Sequence, residues 1–176
     1  MKLMKLAITA LLFVAAMNST VHSELLVLEP TRIAVLPATE RGATQVALYF
    51  DLSSLPNGEK RVVDMAHLEW TPTNKAVEES CIYTAAEISA SWTALGATNE
   101  GLVSVSSEKA AKWRVEPTDF ERTAGIVKLE LTSNVTAWAD GARTNHGIVI
   151  TSAALSRSDA QARLGNARLV IRYGYR

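Results

Sequence analysis

The chain of 176 residues has a single cysteine, Cys81, so no internal disulfide can staple it. A packed core has to supply its stability. With 9 glycines and 5 prolines it is neither collagen-like nor low in complexity. Neither sign of charge is in excess, at 18 basic and 18 acidic residues, and this excludes the broad basic footprint of a nucleic-acid binder. Only 20% of residues are charged while 48% are apolar, which excludes a chain disordered by composition. No serine stands in a Gly-x-Ser-x-Gly elbow and no glycine-rich phosphate loop is present. Beyond the first 17 residues no apolar run approaches the ~20 residues that span a bilayer.

The start of the chain reads as an export signal. Lys2 and Lys5 precede an apolar stretch, Leu6 to Met17, and small residues follow around Val21-His22-Ser23. The stretch is too short for an anchor. Cleavage near Ser23 leaves residues 24–176 as one domain, exported to a periplasmic, extracellular or cell-surface location, without a transmembrane segment. It also removes two lysines, leaving 16 basic against 18 acidic residues. In an oxidising compartment an unpaired Cys81 is best read as a small buried hydrophobe.

Short apolar alternations broken by turn residues dominate the rest, as in a sandwich or barrel. Strands are expected around Pro30 (Leu25 to Leu36), at Gln45 to Leu52 and at Arg61 to Thr71. Weaker ones fall at Ser80 to Thr84, Ile88 to Trp92, Leu102 to Ser106 and Lys112 to Val115. Clear alternation returns at Gly125 to Leu131, Ile148 to Thr151 and Arg168 to Tyr173. One short helix is expected, capped by Ser133, with Val135 and Trp138 on one face and Gly141 closing it. Helices long enough for parallel crossovers are absent, so the fold class is all-β: two packed antiparallel sheets.

The order of several stretches carries a further indication. Leu48-Tyr49-Phe50-Asp51-Leu52-Ser53-Ser54-Leu55-Pro56 is followed by Ala66-His67-Leu68 and then Ser91-Trp92. Next come Leu129-Glu130-Leu131-Thr132-Ser133-Asn134-Val135-Thr136-Ala137-Trp138-Ala139-Asp140-Gly141 and Asn145-His146-Gly147-Ile148-Val149-Ile150, and Arg168 to Tyr173 closes the chain. This order resembles the DNRLRE domain family over nearly the whole of residues 24–176. The resemblance implies a jelly-roll β-sandwich of secreted microbial proteins, often accompanying polysaccharide-degrading enzymes and similar to carbohydrate-binding modules. The chain departs from the pattern at Glu130, where the family usually has aspartate, and at Gln45 and Leu48, near where it often has arginine. It also lacks a second tryptophan motif after Trp92.

Candidate chemistry is sparse. His67 and Glu69 share a strand face and should meet solvent, with Asp64 on the opposite face. Two ligands do not make a metal site. Glu78 and Glu79 point apart as neighbours on an extended chain. Asn134-Val135-Thr136 is a glycosylation sequon placed where capping accounts for it as well. Trp70 and Trp138 read as core. Tyr49 alternates outward, and Tyr49, Trp92 and Trp113 are the candidate sugar-stacking rings.

Residues 24–100 hold 5 basic and 11 acidic residues, residues 101–176 hold 11 and 7. Arg168, Arg172 and Arg176 share one parity and can form an outward stripe suited to carboxylates and sulfates. A charged strand that guards a sheet edge is the competing account. The expectation is therefore a non-catalytic module whose partner is an extracellular or surface polysaccharide, with an acidic glycan as the candidate. A structural or adhesion component contacting surface proteins is the alternative, and a polysaccharide hydrolase or lyase the third. No cofactor is implied, although a structural calcium would be compatible with such a module.

Overall fold

The computed structural model describes residues 23–36, 38–39, 41–58, 60–71, 80–89, 111–116, 125–156, 158, 160 and 164–176. The export-signal expectation, Trp92, the Leu102 to Ser106 strand and the Glu78-Glu79 pair lie outside them. Among the described residues are nine strands and one helix of regular length. The strands are β1 (Ser23–Leu28), β2 (Arg32–Leu36), β3 (Thr44–Tyr49), β4 (Arg61–Trp70), β5 (Cys81–Glu87), β6 (Ala111–Val115), β7 (Val127–Glu130), β8 (Ile148–Ser152) and β9 (Arg168–Tyr175). The helix α1 (Thr132–Ala139) connects β7 to β8.

Two antiparallel sheets form, sheet A in the order β1-β9-β4-β7 and sheet B in the order β2-β3-β8-β5-β6. The chain pairs as nested hairpins: β1 with β9, β3 with β8, β4 with β7 and β5 with β6. Successive pairs alternate between the sheets, so one long hairpin is rolled around a common interior. That is a jelly roll, with β2 added beside β3 as an extra edge strand. The expected fold class is what the chain adopts. The two strands flanking Pro30 belong to different sheets, as the proline between them allows.

Period-two alternation fills the space between the sheets. Ala66, Leu68 and Trp70 of β4, Val127 and Leu129 of β7, and Leu169, Ile171 and Tyr173 of β9 come from sheet A. Val46 and Leu48 of β3, Cys81 and Tyr83 of β5, and Ile148 and Ile150 of β8 meet them from sheet B. Cys81 is buried in this core. Trp113 also faces it, partly buried. A smaller cluster of Leu36, Ala47, Ile88 and Val149 lies on the opposite parity, on the outer side of sheet B.

α1 closes one end of the sandwich. Val135 and Trp138 are its buried residues, as their spacing predicts. Its start differs from expectation: Leu131 occupies the cap position and Ser133 lies within the helix. Glu130 takes over, accepting from the backbone N–H of Thr132 at 2.9 Å and from its hydroxyl. A carboxylate there also complements the positive end of the helix dipole. Gly141 ends the helix in the left-handed region at φ 71°.

The following turn is fixed by Asn145, which donates to the carbonyl of Phe50 at 2.9 Å and accepts from Gly147 N–H at 2.9 Å. Gly147 has φ +91°, and a Cβ there would stand 2.2 Å from the carbonyl oxygen of Leu48. Only glycine fits this crossing.

Candidate functional site

Strand register sorts the polar side chains of sheet A onto its outer face. Arg168 of β9 is level with Glu69 of β4, and Glu69 with Lys128 of β7, giving a row of alternating charge across three strands. One step along, Val170 is level with His67, and His67 with Glu130. Arg172 is level with Leu25 of β1 and with Met65 of β4, just past a bulge between Val63 and Met65. The bulge carries Asp64, which is exposed.

The Glu69 carboxylate is engaged on one oxygen. His67 Nε2 lies 3.4 Å and Lys128 Nζ 3.6 Å from Glu69 Oε2. His67 was expected in solvent but is only 8% exposed, with Val170 and Glu130 beside it in register. Glu69 Oε1 has no partner among the described residues, and neither does the guanidinium of its cross-strand neighbour Arg168. Both side chains line a cleft of about 380 Å³ together with Trp70, Thr71, Ile126 and Asn166. That is the low end of ligand-site volumes. Trp70 is 2% exposed, so its ring offers no stacking platform here. Its indole N–H is buried without a hydrogen-bond partner among the described residues, and the ring meets Tyr83 edge-on at 5.2 Å.

Of the expected stripe, Arg168 and Arg172 are both exposed on this face. In extended chain they stand about 13 Å apart, and the side chain between them is Val170, only 8% exposed. The Arg172 guanidinium likewise has no partner among the described residues. Arg176 is exposed beyond the end of β9, with its backbone N–H donating to Lys60 at 2.9 Å. The edge-guarding account fails: β9 lies between β1 and β4, and sheet A's edges are β1 and β7.

The expected rings do not join the arginines. Tyr49 is half-buried on the outer side of sheet B, across the sandwich from Arg168, with Arg32 over its ring at 5.9 Å. Trp113 faces the core rather than solvent. Guanidinium and aromatic recognition are thus separated onto opposite sheets, because parity fixes inside against outside while topology decides which outside.

A second polar region surrounds α1, and its charged side chains are engaged, although Arg61 Nε is buried without a partner among the described residues. Glu87 at the end of β5 accepts from Trp138 Nε1 at 2.6 Å and pairs with Arg143, which also donates to the Ser133 carbonyl at 3.2 Å. Arg61 is a buried guanidinium, its side chain 4% exposed. It donates to the carbonyls of Pro56 at 2.7 Å and Ala139 at 2.6 Å, and to Asp140 Oδ1 at 3.1 Å. Glu87 and Arg61 escaped sequence reading because their partners at and beyond α1 lie 51 to 79 residues away.

No family model matches the chain, and no curated protein matches it. Among solved structures it is similar at 15% identity to a chain in "Structure of deformed wing virus carrying the GFP gene", covering 90% of this chain and 78% of that one, with a TM-score of 0.30.

Proposed function

We propose that the protein is a non-catalytic, exported β-sandwich module of DNRLRE type that binds extracellular or cell-surface polysaccharide carrying acid groups. The outer face of sheet A is the binding surface. The observation that supports this most is the pair of exposed guanidinium groups, Arg168 and Arg172, which have no partner among the described residues and share one face beside an open cleft. A guanidinium fork left unpaired on a sheet is a ready partner for carboxylate or sulfate. Recognition on this face works by charge-assisted hydrogen bonds, since Trp70 and Tyr173 of its strands are buried.

A glycan array probed with the exported protein tests the reading. Binding to acid-bearing glycans that weakens with salt and with R172A supports it. A flat response across acidic and neutral glycans overturns it. N-terminal sequencing of the exported protein should give Glu24 as the first residue.

One observation favours the structural or adhesion reading. Leu25 and Val27 are 65% and 46% exposed on the edge strand β1. An edge strand with an exposed apolar face is suited to pairing with another strand. A flat glycan array combined with self-association that L25K abolishes would transfer the assignment to that reading.

A further inference from the structure

We infer that the cleft where β4 ends and β9 begins is a subsite for a hydroxylated carboxylate, a uronate residue rather than a densely sulfated sugar or a plain acid. The inference rests on the acidic-glycan reading above and narrows it to one chemistry at one place.

Among the described residues an unpaired donor stands beside an unpaired acceptor oxygen. Arg168 and Glu69 are direct cross-strand neighbours, the geometry in which opposite charges ordinarily pair. They do not pair here. Lys128 from β7, on the side away from β9, and His67 from farther along β4 itself both engage Glu69 at Oε2. Among the described residues this leaves Oε1 and the Arg168 fork without partners, and the two side chains line one cleft. A ligand that completes both must bring an acceptor for the fork and a donor for the carboxylate. A sugar acid carries both: its carboxylate takes the guanidinium and its hydroxyls donate to Oε1. Asn166 and Thr71 add further polar groups at the rim.

Charge points the same way. Arg168, Lys128 and Glu69 sum to one positive charge, which a single carboxylate neutralises. A densely sulfated chain would bring additional negative charge against the Glu69 carboxylate, a repulsion that grows in a partly desolvated cleft. Glu69 therefore acts as a specificity-determining residue. It disfavours surplus anions and favours those that donate hydrogen bonds.

The test uses two probes with equal numbers of carboxylates, an oligogalacturonate and an oligoacrylate, the second lacking hydroxyls. Titration calorimetry is run on the wild-type protein, R168A and E69A. The wild type should prefer the oligogalacturonate by roughly tenfold, the scale of one charge-assisted hydrogen bond. R168A should weaken both probes by roughly tenfold. E69A should erase the preference while sparing oligoacrylate. E69Q keeps the side-chain shape and serves if E69A does not fold; it should reduce the preference. If R168A leaves both affinities unchanged while R172A lowers them, the cleft is not the site, although acidic-glycan binding stands. An undiminished preference in E69A and E69Q overturns the role of Glu69. Failure of the wild type to bind either probe or any glycan on the array removes both the inference and the reading beneath it.

Discussion

Four arginines divide between two regions of this molecule. Around α1, Arg61 and Arg143 are held by carboxylates and backbone carbonyls. On the outer face of sheet A, Arg168 and Arg172 have no partner for their guanidinium groups among the described residues. The same side chain serves structure in one place and remains available in the other. What separates them is what the topology places alongside: loop carbonyls and a helix end at α1, a flat strand row on sheet A. Changes near α1 should therefore register as stability and leave binding to the surviving folded protein intact. Changes at β9 should do the reverse.

The largest effect is expected at the α1 end, in the turn that joins helix to β8. G147A would force an L-residue into the left-handed region and drive its Cβ into the Leu48 carbonyl, costing about 3 kcal/mol or more. Urea denaturation would show a much lower midpoint or no folded baseline. Next is R61M, which leaves the Pro56 and Ala139 carbonyls without their donor and Asp140 without its counter-charge. A loss of about 2–4 kcal/mol is expected by the same measurement. A loss below about 0.5 kcal/mol would mean that Arg61 is no clasp and would blur the contrast between the regions.

A smaller effect is confined to alkaline pH. The Tyr173 hydroxyl donates to Glu24 Oε2 at 2.6 Å, tying β9 to the edge strand β1. That hydrogen bond, then burial, then the Glu24 and Tyr175 charges push the Tyr173 pKa up to about 12 from 10.0. A phenol whose folded pKa is raised contributes stability that is complete below its unfolded pKa and lost as pH rises through the folded one. Stability should thus decline between about pH 10 and 12. In Y173F that part of the decline should be absent, as read by thermal melting across the range.

Much of the fold was legible in the sequence. Alternation placed Leu169, Ile171 and Tyr173 inside and Arg168 and Arg172 outside, and the Val135–Trp138 spacing with Gly141 located the helix. These are local signals, set by the period of a strand or a helix turn. Pairing was not legible, and each correction follows from it. Solvent exposure of His67 was inferred from parity alone, but a residue on an outer face is still covered when long neighbours flank it in register. Trp113 and Tyr49 looked equivalent until the sheets assigned one to the core and the other to the side opposite the arginines. Ser133 looked like a cap because serine is a good one; the helix begins two residues earlier, with Leu131 in the cap position and Glu130 reaching forward from β7. The site itself was half visible. Arg168 was found by charge, whereas Glu69 gained its role only from lying across from it.

On this reading β9 presents its guanidinium groups for recognition and not for stability. The direct measurement is made on the double variant R168A/R172A, recording urea stability and oligogalacturonate affinity on the same preparation. Stability should stay within about 0.5 kcal/mol of wild type, as expected of exposed side chains without partners among the described residues, while measurable binding is lost. Retained binding at wild-type affinity, or a protein destabilised by several kcal/mol, would contradict it.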